Sequence, residues 1–189
     1  MGSESKQQMV KSAAVLFRER GYSGTGFRDV IEHSGAPRGS IYHHFPGGKA
    51  ELATETVRYA GSYIGAQIER LAQDGDPAAV LRAFVGWWRK LLEGSDFRAG
   101  CPVVAVAVEA HDDDAIVAAT GEAFADWERA LASTLRRSGA TPARARRVAT
   151  LCIAAIEGAV VMCRAQRSTQ PLLDVGRELE QTIEAAQSG

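Results

Sequence analysis

The residues of this chain best suited to chemistry are gathered in one short window. No Asp or Glu occurs between Glu32 and Glu51, yet the stretch holds Arg38, Lys49 and three of the four histidines, His33, His43 and His44. An acid-free basic patch of this kind attracts a polyanion. Residues 1–52 carry seven basic side chains against five acidic ones, so +2 stands there against −3 in the rest of a chain of net charge −1. A second group lies wholly further on: Phe84, Trp87, Trp88, Phe124 and Trp127, with Glu109, His111 and Glu157 as polar companions. Rings with a few polar groups build small-molecule cavities between helices. They also build ordinary helical cores, and the sequence leaves both readings open. Glu157 is the only acid between Thr141 and Asp174. A carboxylate in such apolar company pairs with a local arginine, reaches solvent at a subunit seam, or faces a cationic ligand.

Enzyme chemistry finds no support. The chain has no phosphate-binding glycine loop, nucleophile elbow or His-Glu-x-x-His pattern, and Gly47-Gly48-Lys49 lacks the strand and spaced glycine of a P-loop. No catalytic residue and no cofactor is expected. Cys101, Glu109 and His111 match no metal-ligand spacing. Cys101, Cys152 and Cys163 are odd in number without a C-x-x-C pair, which suits reduced thiols in a cytoplasm; a redox role for Cys101 is an alternative. With 46% hydrophobic and 24% charged residues the composition is that of a soluble globular protein. No apolar run reaches the roughly 18 residues of a membrane span. No charged-then-apolar leader is visible, so the expectation is a cytoplasmic protein with no membrane partner.

The periodicity is helical throughout. A first helix starts at Ser5, whose spacing to Gln8 fits a capping box, and ends before Gly21. Thr25 caps a short second helix through Phe27, Val30 and Ile31, closed by Gly35. Pro37 keeps Ala36 out of the helical region, and a third helix runs from Arg38 to Phe45, stopping at Pro46. A long amphipathic segment follows from Lys49 to Ala72. Asp76-Pro77 opens the next helix, and Cys101-Pro102 a short one ending near Ala110. Asp112–Asp114 lead a helix reaching Gly139, Thr141-Pro142 opens another, and a last one lies between about Gln170 and Ala186.

Two short helices separated by a three-residue break containing glycine fit a helix-turn-helix. At about 100° per residue, Ile41 and Phe45 of the third helix define its buried side. Gly39 and His43 then fall roughly opposite, with Ser40 and Tyr42 on the shoulders and Arg38 at the N-terminal end. Gly39 removes bulk, Ser40 can bond a base edge, and Tyr42 can touch a thymine methyl or a phosphate. His44 flanks the buried face, where a packing role is equally open.

The stretch from Phe17 to Leu52, FRERGYSGTGFRDVIEHSGAPRGSIYHHFPGGKAEL, resembles the N-terminal domain of TetR-family transcriptional regulators. The shared pattern comprises Leu16-Phe17, Gly21-Tyr22, Thr25, Gly35 and Gly39-Ser40-Ile41-Tyr42-His43-His44-Phe45. The resemblance implies phosphate contacts at Ser5, Thr25, Tyr42, His44 and Lys49, and base-edge contacts at Arg38, Gly39 and Ser40. Arg28 and His43 complete the DNA-facing set. Pro37 stands where many members carry a capping serine, and Pro46-Gly47-Gly48-Lys49 is one residue longer than the common Pro-Ser-Lys turn. These departures, with Gly100-Cys101-Pro102 and Glu157-Gly158-Ala159, are similar to the LmrA/YxaF-like branch. Members of that branch commonly repress efflux genes and leave DNA when aromatic or cationic drugs bind.

The expected architecture is therefore all-α. A three-helix helix-turn-helix domain occupies residues 1–50, and a helical bundle for ligand binding and dimerisation occupies residues 51–189. Ala154, Ala155, Gly158 and Ala159 allow close helix approach and mark, with the last helix, a dimer seam. One helix-turn-helix contacts little DNA, whereas a two-fold dimer places recognition helices about 34 Å apart. The expected function is a repressor that binds a near-palindromic operator as a homodimer and is released by a small aromatic or cationic ligand, the effector itself being unknown and expected to be hydrophobic. The alternative is a DNA-binding regulator without an effector, controlled by a protein partner or by its own level.

Overall fold

The computed structural model describes residues 2–37, 39–72 and 76–187. Among the described residues the chain forms nine helices and no strand. They are α1 Gly2–Arg20, α2 Phe27–Ser34, α3 Ser40–His44, α4 Gly48–Leu71, α5 Pro77–Gly94, α6 Pro102–Glu109, α7 Asp114–Arg137, α8 Pro142–Gln166 and α9 Gln170–Gln187. The chain divides into two compact units, one of residues 1–62 with 101–123, the other of residues 63–100 with 124–189. Long helices α4 and α7 each contribute to both.

In the first unit, α1 buries the expected stripe of Met9, Ala13, Leu16 and Phe17. Gly21 ends it in the left-handed region at φ 81°, with its N–H donating to the Phe17 carbonyl at 2.9 Å. The start differs from expectation. The helix already runs at Gly2, so Ser5 lies inside it rather than at its cap, and the Ser5 hydroxyl is enclosed with no hydrogen-bond partner. At α2 the cap is Gly26, not Thr25: Asp29 accepts from the Gly26 N–H at 2.8 Å, while the Thr25 hydroxyl donates backwards to the Gly21 carbonyl at 2.9 Å. Gly35 closes α2 at φ 67° as its position implies. The third helix is shorter than its 38–45 expectation. The Pro37 carbonyl accepts the Ser40 N–H at 3.0 Å in a turn, leaving five helical residues before Phe45. α6 packs along α1.

In the second unit α8 packs on α9 and on α5, and α5 on α9. Asp76 caps α5, its carboxylate accepting the Ala78 N–H at 3.0 Å, and Pro77 occupies the first turn where no donor is needed. Thr141 caps α8 in the same manner. The interior holds Val85, Trp88, Leu92, Trp127, Leu135, Ile156, Leu172 and Ile183. Helix α8 is long and apolar enough to cross a membrane by length and composition, which corrects the expectation that nothing here reaches that threshold. Its apolar character has a simpler source. One side of α8 (Val148, Cys152, Ile156, Val160, Cys163) is core, and the other carries exposed Leu151, Val161 and Met162.

Candidate nucleic-acid interface

The five-residue α3 is fixed from one side only. Ile41 and Phe45 are fully buried, as the helical wheel requires, and α3 packs on α1, as does α2 with its buried Val30. The opposite side is open: Gly39 and His43 are exposed, and Tyr42 is 67% exposed. Tyr42 is steadied by one contact, edge-to-face with Phe27 at 5.5 Å. A Cβ built on Gly39 would meet nothing within 4 Å, so its own fold does not demand glycine there. Ser40 is half-buried and its hydroxyl donates to the Pro37 carbonyl at 2.7 Å, which leaves its oxygen lone pairs to accept from outside. His44 is half-buried beside His43 and Phe45, consistent with a packing share. Arg28, exposed on α2, borders an open groove of about 630 Å³ that Phe27, Ile31 and Tyr42 also line.

Lys49 stands in the first turn of α4, with Nζ 4.3 Å from the Tyr22 ring centroid. Partial burial lowers its pKa, opposed by the charges of Glu109 and Asp29. The Tyr22 phenol is itself pushed up, first by burial and then by Asp113. A cation held over a ring keeps its orientation while remaining able to meet a phosphate.

Two expected phosphate ligands are placed differently. The Thr25 side chain is 1% exposed and its hydroxyl is spent on Gly21; the Ser5 hydroxyl is enclosed within α1. Arg38, expected at a base edge, lies outside the described residues. Thus Arg28, Gly39, Ser40, Tyr42, His43, His44 and Lys49 belong to one unit and present surface, whereas Ser5 and Thr25 serve the scaffold.

The aromatic set separates in the same way. Phe84 stacks on Trp87 at 5.6 Å, Trp87 meets Trp88 at 4.9 Å, and Phe124 meets Trp127 at 5.3 Å, all within the second unit. Of these rings only Phe84 lines the apolar cavity of about 40 Å³, together with Ile68, Val80, Leu131, Cys152 and Ile156. Trp88 and Trp127 are core side chains. Glu157 is half-buried on α8 and does not line that cavity. Glu109 and His111 lie in the other unit. The Glu109 carboxylate accepts the Ser23 N–H at 2.6 Å, and His111 is a surface residue 3.4 Å from Asp112. Neither stands with the aromatic rings, because α6 packs along α1. The aliphatic lining was missed since Ile and Leu look alike whether they fill a core or face a void.

All three cysteines are buried. Burial pushes the Cys152 thiol up to about 12 and raises Cys163 too, which withholds the thiolate that redox chemistry needs. Among the described residues no group of three or more His, Cys, Asp or Glu could hold a metal ion.

Comparison with known proteins agrees with this layout. Residues 9–56 match the family described as "Bacterial regulatory proteins, tetR family". Residues 77–178 match "Transcriptional regulator LmrA/YxaF-like, C-terminal domain". An uncharacterized HTH-type transcriptional regulator of Mycobacterium tuberculosis is 40% identical, covering 94% of this chain and 93% of its own. The HTH-type transcriptional regulator LmrA of Bacillus subtilis is 33% identical over 91% of this chain and 93% of its own. A crystal structure of a TetR regulatory protein from Rhodobacter sphaeroides superposes with a TM-score of 0.83 at 23% identity, covering 93% of this chain and 97% of that one.

Proposed function

This chain belongs to the TetR family of transcriptional regulators, in its LmrA/YxaF-like branch, and is not an enzyme; on that premise we propose that it is a cytoplasmic repressor that binds a near-palindromic operator as a homodimer. The observation that carries the reading is the open face of α3. Gly39 lacks any internal reason to be glycine, and Tyr42 and His43 are turned to solvent beside it in an acid-free stretch. A small residue flanked by hydroxyl and ring groups lets a helix approach base edges closely. The DNA-binding function is assigned to residues 1–50 and effector response and dimerisation to residues 51–189. The dimer is assigned to the exposed side of α8, where Leu151, Ala154, Gly158, Val161 and Met162 form an apolar strip. Buried Ala159 belongs to the core instead, so the seam uses the other small residues. A second copy is the occupant because two-fold pairing alone supplies two recognition helices for two half-sites.

Release by a small hydrophobic effector is supported by the cavity beside Phe84, whose lining is apolar throughout and so favours a neutral compound over a cationic one. A second reading has its own observation. A volume of about 40 Å³ falls far short of the roughly 300 Å³ of small ligand sites. A regulator without an effector would need no more. Titrating labelled operator fragments at several salt concentrations tests the first claim; affinity should fall steeply with salt and depend on sequence. Equal affinity for all sequences would reject it. A thermal-shift screen with neutral and cationic aromatic compounds separates the two readings, since a ligand of the native state raises the melting temperature.

A further inference from the structure

The turn between α1 and α2 is held by a helix far away in the sequence. The Ser23 N–H donates to Oε2 of Glu109, the last residue of α6, at 2.6 Å and across 86 positions. The other oxygen of that carboxylate lies against Gly21, where an added Cβ would come within 2.4 Å of it. Gly21 also sits at φ 81°, so the backbone here favours glycine, and the absence of a Cβ leaves room for the carboxylate above it. Between Gly21 and Ser23 stands Tyr22, the ring beneath the Lys49 ammonium. Glu109 acts on that lysine as well, its charge opposing the burial that lowers the lysine pKa. One carboxylate at the end of α6 thus grips the turn that supports the phosphate-facing lysine.

We propose that Glu109 is a latch: its hydrogen bond to Ser23 positions the α1–α2 turn and, through Tyr22, Lys49, and by doing so strengthens binding to DNA. This rests on the reading of the chain as an operator-binding protein. Glu109 is a positioning residue and touches no nucleic acid itself.

Glu109→Gln and Glu109→Ala test the latch in the full-length protein. Both remove the same charge, but only Gln retains an oxygen able to accept from Ser23. The readouts are amide hydrogen exchange over residues 21–26 and affinity for operator DNA. Glu109→Ala should exchange at Ser23 about tenfold faster than Glu109→Gln and bind operator about three- to tenfold more weakly, as loss of one hydrogen bond implies. Because Glu109 is exposed, both variants should melt close to the parent. In a Lys49→Ala background the difference in affinity should vanish while the difference in exchange remains. Equal exchange and equal affinity for Gln and Ala would overturn the latch, and a difference in affinity that survives Lys49→Ala would overturn its route. Should the parent protein bind no operator, the functional reading falls, and the exchange comparison still decides whether the turn is latched.

Discussion

The α2–α3 segment and the packed group of α5, α8 and α9 use the same residue types to opposite ends. Tyr42 on α3 is 67% exposed, Trp88 on α5 is 1% exposed. Around Gly39 a Cβ would meet nothing, whereas at Gly176 on α9 it would lie 3.3 Å from Cγ2 of Val85 on α5. In the core, packing inside the chain accounts for each choice. At Gly39 it does not, since nothing in the fold occupies the space a side chain would take. Aromatic content alone therefore does not mark a site.

Substitution can break this comparison. Trp88→Ala should destabilise the protein by about 3–5 kcal/mol, the usual cost of emptying a large buried ring. Tyr42→Ala should change stability by under about 1 kcal/mol while weakening operator binding. Chemical denaturation of both variants measures it, and comparable losses would mean that Tyr42 is structural. Trp88→Phe should cost less than its lost volume alone implies, because the Trp88 indole N–H is buried without a hydrogen-bond partner among the described residues and phenylalanine removes it.

The glycine pair sharpens the same contrast. Gly39 has φ −87° and ψ −14°, so Gly39→Ala should leave stability unchanged or raised by up to about 1 kcal/mol. It should nonetheless cost about 1–3 kcal/mol of operator affinity if α3 meets base edges there. Gly176→Ala should instead lose about 1 kcal/mol of stability, because Val85 must give way, with affinity for DNA unaltered. Reversed outcomes would reverse the assignment of the two regions.

Within the DNA-facing set, Lys49→Ala should weaken binding to all sequences alike and reduce the slope of log affinity against log salt by about 1. Ser40→Ala should leave that slope intact and shift which sequences are preferred. Selection on randomised operators separates them, and a Lys49 variant with altered preference would place that lysine at a base.

The smallest effect is expected where the second unit is wettest. Arg167, hydrogen-bonded to Asp96 at 2.6 Å, holds the Asp96 carboxyl below its ordinary value of 3.8, and both groups are exposed. A carboxylate whose native pKa lies below its unfolded one stabilises the fold above the unfolded value. That contribution fades as pH falls through the lowered native value. Asp96→Asn should thus melt slightly lower than the parent at pH 6, with the gap closing as the carboxyl of the folded protein is protonated in acid. A gap that widens in acid would contradict the pairing.

The legible parts of this protein were local. Gly21 and Gly35 end their helices because only glycine adopts positive φ cheaply, and Pro77 and Pro142 open theirs because the first turn needs no donor. Ile41 and Phe45 declared the buried side of α3 through their spacing alone. The caps of α1 and α2 were harder: Ser5 and Thr25 are good capping types, but an earlier start and the Gly26–Asp29 pair took those places.

What the sequence by itself determined is an all-helical chain with one basic, acid-free segment, since periodicity, terminators and charge act over a few residues. What only the tertiary structure decided is the company each side chain keeps. Glu109 looked like a polar companion of the tryptophans and instead holds Ser23. The tryptophans were open to either reading, ligand wall or core, and Trp88 and Trp127 are core. Packing joins residues dozens of positions apart through shape and hydrogen-bond demand. A sequence lists the groups that can satisfy those demands but not which of them meet.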